Sequence, residues 1–205
     1  MSLRVDLHTP APLEAYLASS PWVDCGHPDI QAHLAASPGD GHPEEEVIRG
    51  DFELVRDEVA HSWDIQSRRV TGRASDVLRH RECICYAKSH LLAALLRGRG
   101  IPAGLCYQRL TLGDTPESGW GVHALNAVWM ESRQRWVRLD ARGNKPGVDA
   151  QFSPDRERLA FTVRPECGEV DYGVNHAAPP APIMRALEEY QDCRVLYARG
   201  LPTGL

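Results

Sequence analysis

Between Cys85 and Arg99 apolar residues recur in steps of three and four, with Ala87, Leu91 and Ala94 on one stripe and Leu92 and Leu95 beside it. That period predicts a helix buried on one broad face. The stop signals are equally clear. Gly98 and Gly100 permit a C-terminal cap, Arg97 and Arg99 put positive charge at the end of the helix dipole, and Pro102 forbids continuation. The pattern then changes period. Leu105 to Leu112 alternates, with Cys106, Gln108 and Leu110 opposing Leu105, Tyr107 and Arg109, which predicts a strand. Val122 to Met130 and Arg135 to Asp140 predict two more, joined by the polar turn Glu131-Ser-Arg-Gln134. The centre of the chain is therefore expected to be α+β, one helix packed on an antiparallel sheet.

The flanks carry weaker patterns. Residues 1 to 50 are rich in Pro, Gly, Asp and His, and predict helical pieces at Leu13 to Ala18 and Glu44 to Glu58 with an exposed loop from Ser37 to Pro43. Ser75 to His80 reads as a short helix with Ser75 as its N-cap. After Asp140 a Gly- and Pro-containing loop runs to Gly147, a weak strand is expected from Leu159 to Val163, and a helix from Pro182 to Ala198. With no internal repeat and no low-complexity tract, the expectation is one domain over residues 1–205, its core at about residues 60–165.

Composition narrows the function classes. Hydrophobic residues make up 42% and charged residues 25%, the usage of a soluble globular protein. At this length a chain buries roughly 70% of its unfolded surface, so stability requires neither disulfides nor a structural metal. The net charge of −5, with Lys and Arg dispersed among acids, forms no basic stripe, and nucleic acid is not an expected partner. The first thirty residues hold Pro10, Pro12, Pro21, Asp24 and Asp29 and lack a basic start followed by an apolar run. The longest strongly apolar run, Leu91 to Leu96, is far short of the roughly 20 residues a bilayer demands. These features predict no signal, no membrane partner and a cytoplasmic setting. In that reducing compartment Cys25, Cys83, Cys85, Cys106, Cys167 and Cys193 are expected as thiols, and no cofactor is called for.

Of these thiols Cys85 has the chemical position. It opens the predicted helix, where unpaired N–H groups and the positive dipole end favour a thiolate. Lys88 lies one turn later, and Arg79, His80 and Arg81 lie just upstream, with Glu82 offsetting part of that field. On the second strand His123, Leu125, Ala127 and Trp129 share a face; on the third, Asp140 shares one with Trp136 and Arg138. If the hairpin closes through a two- or four-residue loop, Asp140 lies opposite Leu125 and diagonal to His123 on the same face, within side-chain reach. A three-residue loop would put the two on opposite faces. Brought together, a thiol, a base and a carboxylate that orients the base have the role division of nucleophilic catalysis.

The segment Cys85-Tyr-Ala-Lys-Ser-His-Leu-Leu-Ala-Ala-Leu-Leu-Arg-Gly-Arg-Gly-Ile-Pro-Ala103 resembles the nucleophile helix of transglutaminase-like proteins. His123-Ala-Leu-Asn-Ala-Val128 and Arg135-Trp-Val-Arg-Leu-Asp140 are similar to that family's histidine and aspartate strands, in the same order, and the likeness covers about residues 60 to 145. The resemblance implies a papain-like core, a Cys85, His123 and Asp140 triad and a covalent thioester. One departure is Cys83, where the family usually has glycine. Oxyanion donors stay open among the Cys85 backbone N–H, Trp63 and Gln66. The rival from another class is a zinc module using Cys83, Cys85, Cys106 and His123, which supplies only one close cysteine pair. A silent binding domain of the same fold is the second alternative, although all three triad residues are present. Within the enzyme reading, hydrolysis of a peptide, protein or small amide is favoured over transamidation by the resemblance; substrate identity and oligomeric state are not encoded in the motifs.

Overall fold

The computed structural model describes residues 6–39 and 41–205, so Asp40, inside the expected 37–43 loop, lies outside the described residues. Helices α1 (Pro28–Ala36) and α2 (Glu44–Glu53, continued by a π-turn Leu54–Glu58) precede a two-residue strand β1 (Ala60–His61). Next come α3 (Ala74–His80), β2 (Glu82–Cys83) and the long α4 (Cys85–Gly98). Strands β3 (Ala103–Thr111), β4 (Trp120–Met130) and β5 (Arg135–Leu139) follow, then β6 (Val170–Asp171) and α5 (Ala181–Glu189). The four longer-range strands form an antiparallel sheet in the order β5-β4-β3-β6, and β1 pairs with β2 in parallel. The mixed architecture is α+β, as the patterns predict.

The helix at the centre differs from its expected half-buried state: every residue from Cys85 to Arg97 is buried. The reason lies on both sides of it. Strands β3 and β4 cover one side, and α1, α2 and α3, of which the sequence pattern had marked only part, cover the other. Full burial of each of Leu91, Leu92, Leu95 and Leu96 is worth about 2 kcal/mol, which makes α4 the axis of the core. Arg97 does not merely face the helix dipole. Its guanidinium donates to the carbonyls of Ala18, Ala103 and Ala177 at 2.7–2.9 Å, tying three segments to one helix end, while burial lowers its pKa to about 10.

Several flanking expectations are corrected. The α3 helix starts one residue before Ser75, whose N–H and hydroxyl both donate to the Asp24 carboxylate, so the capping acid comes from a distant segment. Residues 159–163 are not a strand. The Ala160 N–H is taken by the Asp140 carboxylate, and the sheet edge beside β3 is filled by β6 instead. The helix expected over 182–198 breaks after Glu189 and resumes as a turn at Cys193–Val195 and a π-turn at Leu196–Gly200. Helix α1 carried no clear sequence signal, its start being held by His27 Nδ1 accepting from the Asp29 N–H. Among the described residues no helix is long and apolar enough to cross a membrane.

Candidate active site

The β4–β5 hairpin closes through four residues, Glu131 to Gln134, with Met130 paired to Arg135. Gln134 in the left-handed region, at φ +51°, completes the turn. An even loop keeps parity. Asn126 pairs with Leu139, so Asp140 follows opposite Leu125, and the diagonal relation brings Asp140 Oδ2 to 2.8 Å from His123 Nε2. Both side chains are buried, His123 at 7% exposure and Asp140 at none.

Asp140 is itself firmly placed. Oδ2 also accepts from the Ala160 N–H at 3.0 Å and Oδ1 from the Arg142 N–H at 3.1 Å. Burial pushes its carboxyl up, but the His123 charge and these three hydrogen bonds outweigh burial and hold its pKa below the usual value. The mirror effect acts on His123. Burial lowers the imidazole's pKa, Asp140 and then the Cys85 thiol raise it, and the net result is a base raised to about 10. With Nε2 engaged by Asp140, Nδ1 is the ring nitrogen left for the thiol. The Phe161 ring stands edge-on to the imidazole, 5.0 Å between centroids at 89°, and fixes its plane.

Cys85 is the first residue of α4, after Ile84, which makes no side-chain cap, so the first-turn N–H groups meet no capping side chain. The start of the helix is pinned to the start of the histidine strand: Tyr86 donates its hydroxyl proton to the Val122 carbonyl at 2.8 Å, one residue from each of Cys85 and His123. Lys88, the cation one turn after Cys85, is turned away from solvent. It is buried, donates to the Val59 and Arg56 carbonyls at 2.5 and 3.3 Å, and has its pKa lowered by burial to about 8. It fastens the segment before β1 against α4.

Cys85 and His123 line one cleft of about 530 Å³ together with His61, Trp63, Arg142, Phe161 and Tyr197. Trp63, one of the oxyanion candidates, stands on its wall with its ring stacked on Tyr197 at 4.5 Å. Gln66 is elsewhere: its carboxamide donates to the Trp63 carbonyl at 2.6 Å and does not line the cleft. Arg142 binds Asp64 through two hydrogen bonds of 2.5 and 2.9 Å, and Lys145 joins the same carboxylate. Burial would raise the Asp64 carboxyl, yet the two cations hold it well below the usual range. Nothing in the sequence pattern marks His61, Asp64, Arg142 or Tyr197, because each acts through tertiary contacts between segments far apart in sequence.

The zinc reading would need Cys83, Cys85, Cys106 and His123 to converge. They do not, because Cys83 sits in the core beneath α4 and Cys106 lies in a separate cluster with Leu125 and Ala127, its sulfur 3.8 Å from Asn175 Oδ1. Burial pushes the Cys83 thiol far up and that of Cys106 to about 12. A second hollow, of about 510 Å³, is lined by the acids Glu46, Asp51, Glu53, Asp57 and Glu58 among other residues, and no cysteine lines it. What remains is chemically specific: a thiol at a helix start, a base raised in pKa, and a carboxylate fixing that base, around an open cleft. Such a set can move a proton from sulfur to nitrogen and form a bond to an electrophilic carbon.

The family description of the transglutaminase-like superfamily matches residues 33–141, more than half of the chain and inclusive of all three residues. Among solved structures, the Putative Cysteine Protease from Cytophaga hutchinsonii is similar at 18% identity over 63% of this chain and 42% of that one, with a TM-score of 0.51. The periplasmic domain of TgpA from Pseudomonas aeruginosa is similar at 17% identity over 64% and 48%, TM-score 0.44. Its ethylmercury-bound form is similar at 20% over 55% and 41%, TM-score 0.40. The chain thus spans under half the length of each neighbour. No curated protein matches the sequence.

Proposed function

The chain belongs to the transglutaminase-like superfamily, and from that premise we propose that it is a cysteine acyl-transfer enzyme in which Cys85 attacks an amide carbonyl and releases the amine by hydrolysis. The observation that carries this reading is the buried His123, held at 2.8 Å by Asp140 and facing Cys85 across the same cleft.

In the first half-reaction the Cys85 thiol proton rests on His123, whose pKa is raised to about 10, and the sulfur forms a bond to the carbonyl carbon, whose π electrons move onto oxygen. The Cys85 backbone N–H, free at the helix start, donates to that oxyanion. Collapse breaks the C–N bond, His123 returns its proton to the leaving amine, and a thioester remains on Cys85. In the second half, His123 accepts a proton from water, the hydroxide oxygen replaces sulfur, the carboxylic acid leaves, and the departing Cys85 thiolate beside the protonated His123 restores the starting pair. Asp140 keeps Nε2 occupied throughout and stabilises the imidazolium. The acyl group is proposed to come from a peptide, a protein or a small amide, with no nucleic acid or membrane involved.

Transamidation shares the first half and differs only in having an amine take the place of water. The test uses fluorescent casein and a benzyloxycarbonyl-glutaminyl-glycine dipeptide, native protein against Cys85→Ala, reading new amino termini, released ammonia and incorporation of dansylcadaverine. New termini or ammonia without dansylcadaverine incorporation, lost in Cys85→Ala, is the expected result. Incorporation of the amine would move the activity to transamidation, and activity that survives Cys85→Ala would overturn the proposal.

A further inference from the structure

Tyr197 lies outside the family match, on the turn Leu196–Gly200, yet lines the cleft with Cys85. Three contacts set it there. Its ring stacks on Trp63 at 4.5 Å and 17°, meets His61 edge-on at 6.1 Å, and its hydroxyl lies 3.3 Å from His61 Nε2. His61 and Trp63 are in turn fixed beside the nucleophile. His61 pairs in register with Cys83, and the Ser62 N–H donates to the Cys83 carbonyl at 2.8 Å, so this segment runs alongside the strand that leads into α4. Tyr197 is thereby held at the N-terminal end of α4, the end from which the first-turn N–H groups project.

Hydrogen-bond accounting then assigns the protons. His61 is 5% exposed and neutral, since burial first and Arg142 next lower its pKa. A neutral imidazole carries one N–H, and His61 Nδ1 is buried with no partner among the described residues. A proton on Nδ1 would orphan a buried donor, which is rarer and costlier than an orphaned acceptor. The proton therefore belongs on Nε2, donated to the Tyr197 oxygen. That leaves the phenolic O–H of Tyr197 free to turn into the cleft. Burial, and then the nearness of Cys85, raise the Tyr197 pKa, so the phenol keeps its proton at neutral pH.

We propose that Tyr197 is a further catalytic residue, whose O–H, aimed by His61 and by stacking on Trp63, donates to the oxyanion formed at Cys85 beside the Cys85 backbone N–H. The inference rests on the acyl-transfer reading above. It assigns Trp63 the task of supporting Tyr197, and it makes the active site depend on a segment beyond the family core.

The test compares two reactions of one sulfur. With p-nitrophenyl acetate, Cys85 forms an S-acetyl bond through an oxyanion and p-nitrophenolate leaves; with iodoacetamide, sulfur displaces iodide at a saturated carbon and no oxyanion forms. Tyr197→Phe keeps the ring and removes the O–H. The expected result is acetylation of Cys85 slowed about 100-fold, with iodoacetamide alkylation changed by less than about twofold because the thiol itself is untouched. Equal slowing of both reactions would show that Tyr197 acts on the thiol, and no slowing of either would show that it is not a donor; each overturns the proposal. If native protein is not acetylated at Cys85 at all, the acyl-transfer reading fails first and this inference falls with it.

Discussion

Asp140 Oδ2 stands 2.8 Å from His123 Nε2 although seventeen residues separate them, because a four-residue hairpin loop preserves side-chain parity between β4 and β5. Asp140→Asn keeps the shape of the pair and removes its charge. The expected loss in acyl-transfer rate is about 10³- to 10⁴-fold. The His123 ring, now raised to about 10 by Asp140 against the effect of burial, should titrate well below that value in the variant. Imidazole resonances followed by NMR across pH 5 to 11 check this directly, and an unshifted titration would contradict the assignment of Asp140 as the cause.

How far the sequence reached is visible in this pair. The helix Cys85–Gly98 and the three strands were legible because their periods of 3.6 and 2 are long and have clear stops, and hairpin parity reduces to whether the loop count is odd or even. The burial of α4 on all sides was not legible, since α1 carried no clear signal and the packing of α1, α2 and α3 against α4 is set by tertiary contacts that no local period reports. Nor were Arg142, His61 and Tyr197: their side-chain partners are set by the tertiary path of the chain, and Tyr197 lies 136 residues from His61. Ser75 shows the same limit in small, because a good local cap signal gave way to a carboxylate fifty-one residues away.

Stability should peak near neutral pH. Burial lowers the His90 pKa to about 4 and also lowers that of His61, while an unfolded histidine titrates near 6.5. Between pH 6.5 and 4 the unfolded chain therefore binds protons that the native state does not, and stability falls as pH falls. His123 acts in the opposite sense: with a folded pKa of about 10, its contribution is complete below 6.5 and is lost as pH rises toward 10. Urea midpoints measured from pH 4 to 10 should trace both arms, and His90→Gln, which can still donate to the Gly72 carbonyl that His90 Nδ1 meets at 2.8 Å, should flatten the acid arm.

Gly104 leaves room for Asn175. A Cβ at position 104 would stand 1.8 Å from Asn175 Oδ1, and Asn175 is wholly buried with its carbonyl accepting from Tyr16. Gly104→Ala should destabilise by about 1–3 kcal/mol through overpacking. A thermal midpoint equal to that of native protein would show that the 175 loop moves aside freely.

Arg99 and Asp51 form an ion pair at 2.8 Å, exposed by only 8% and 4%. Burial outweighs Arg99 and pushes the Asp51 carboxyl up, so desolvation cancels much of the attraction. Asp51→Ala, which strands Arg99, should cost about 3–5 kcal/mol, whereas the double variant Asp51→Leu with Arg99→Met should recover most of it. Urea unfolding of the two variants separates these outcomes; a double variant as unstable as the single one would mean that the pair itself stabilises.

The central claim is that Cys85 is the nucleophile among six cysteines. Brief acetylation with p-nitrophenyl acetate at neutral pH, followed by rapid quench and peptide mapping, tests it most directly. Burial raises the thiol pKa far up at Cys83, to about 12 at Cys106 and to about 11 at Cys193, which leaves these three as poor nucleophiles. The predicted result is one acetyl group, carried as a thioester on the peptide containing Cys85 and absent from His123→Ala. Acetyl groups on any of the other five cysteines, Cys25, Cys83, Cys106, Cys167 or Cys193, with Cys85 unmodified would contradict the account.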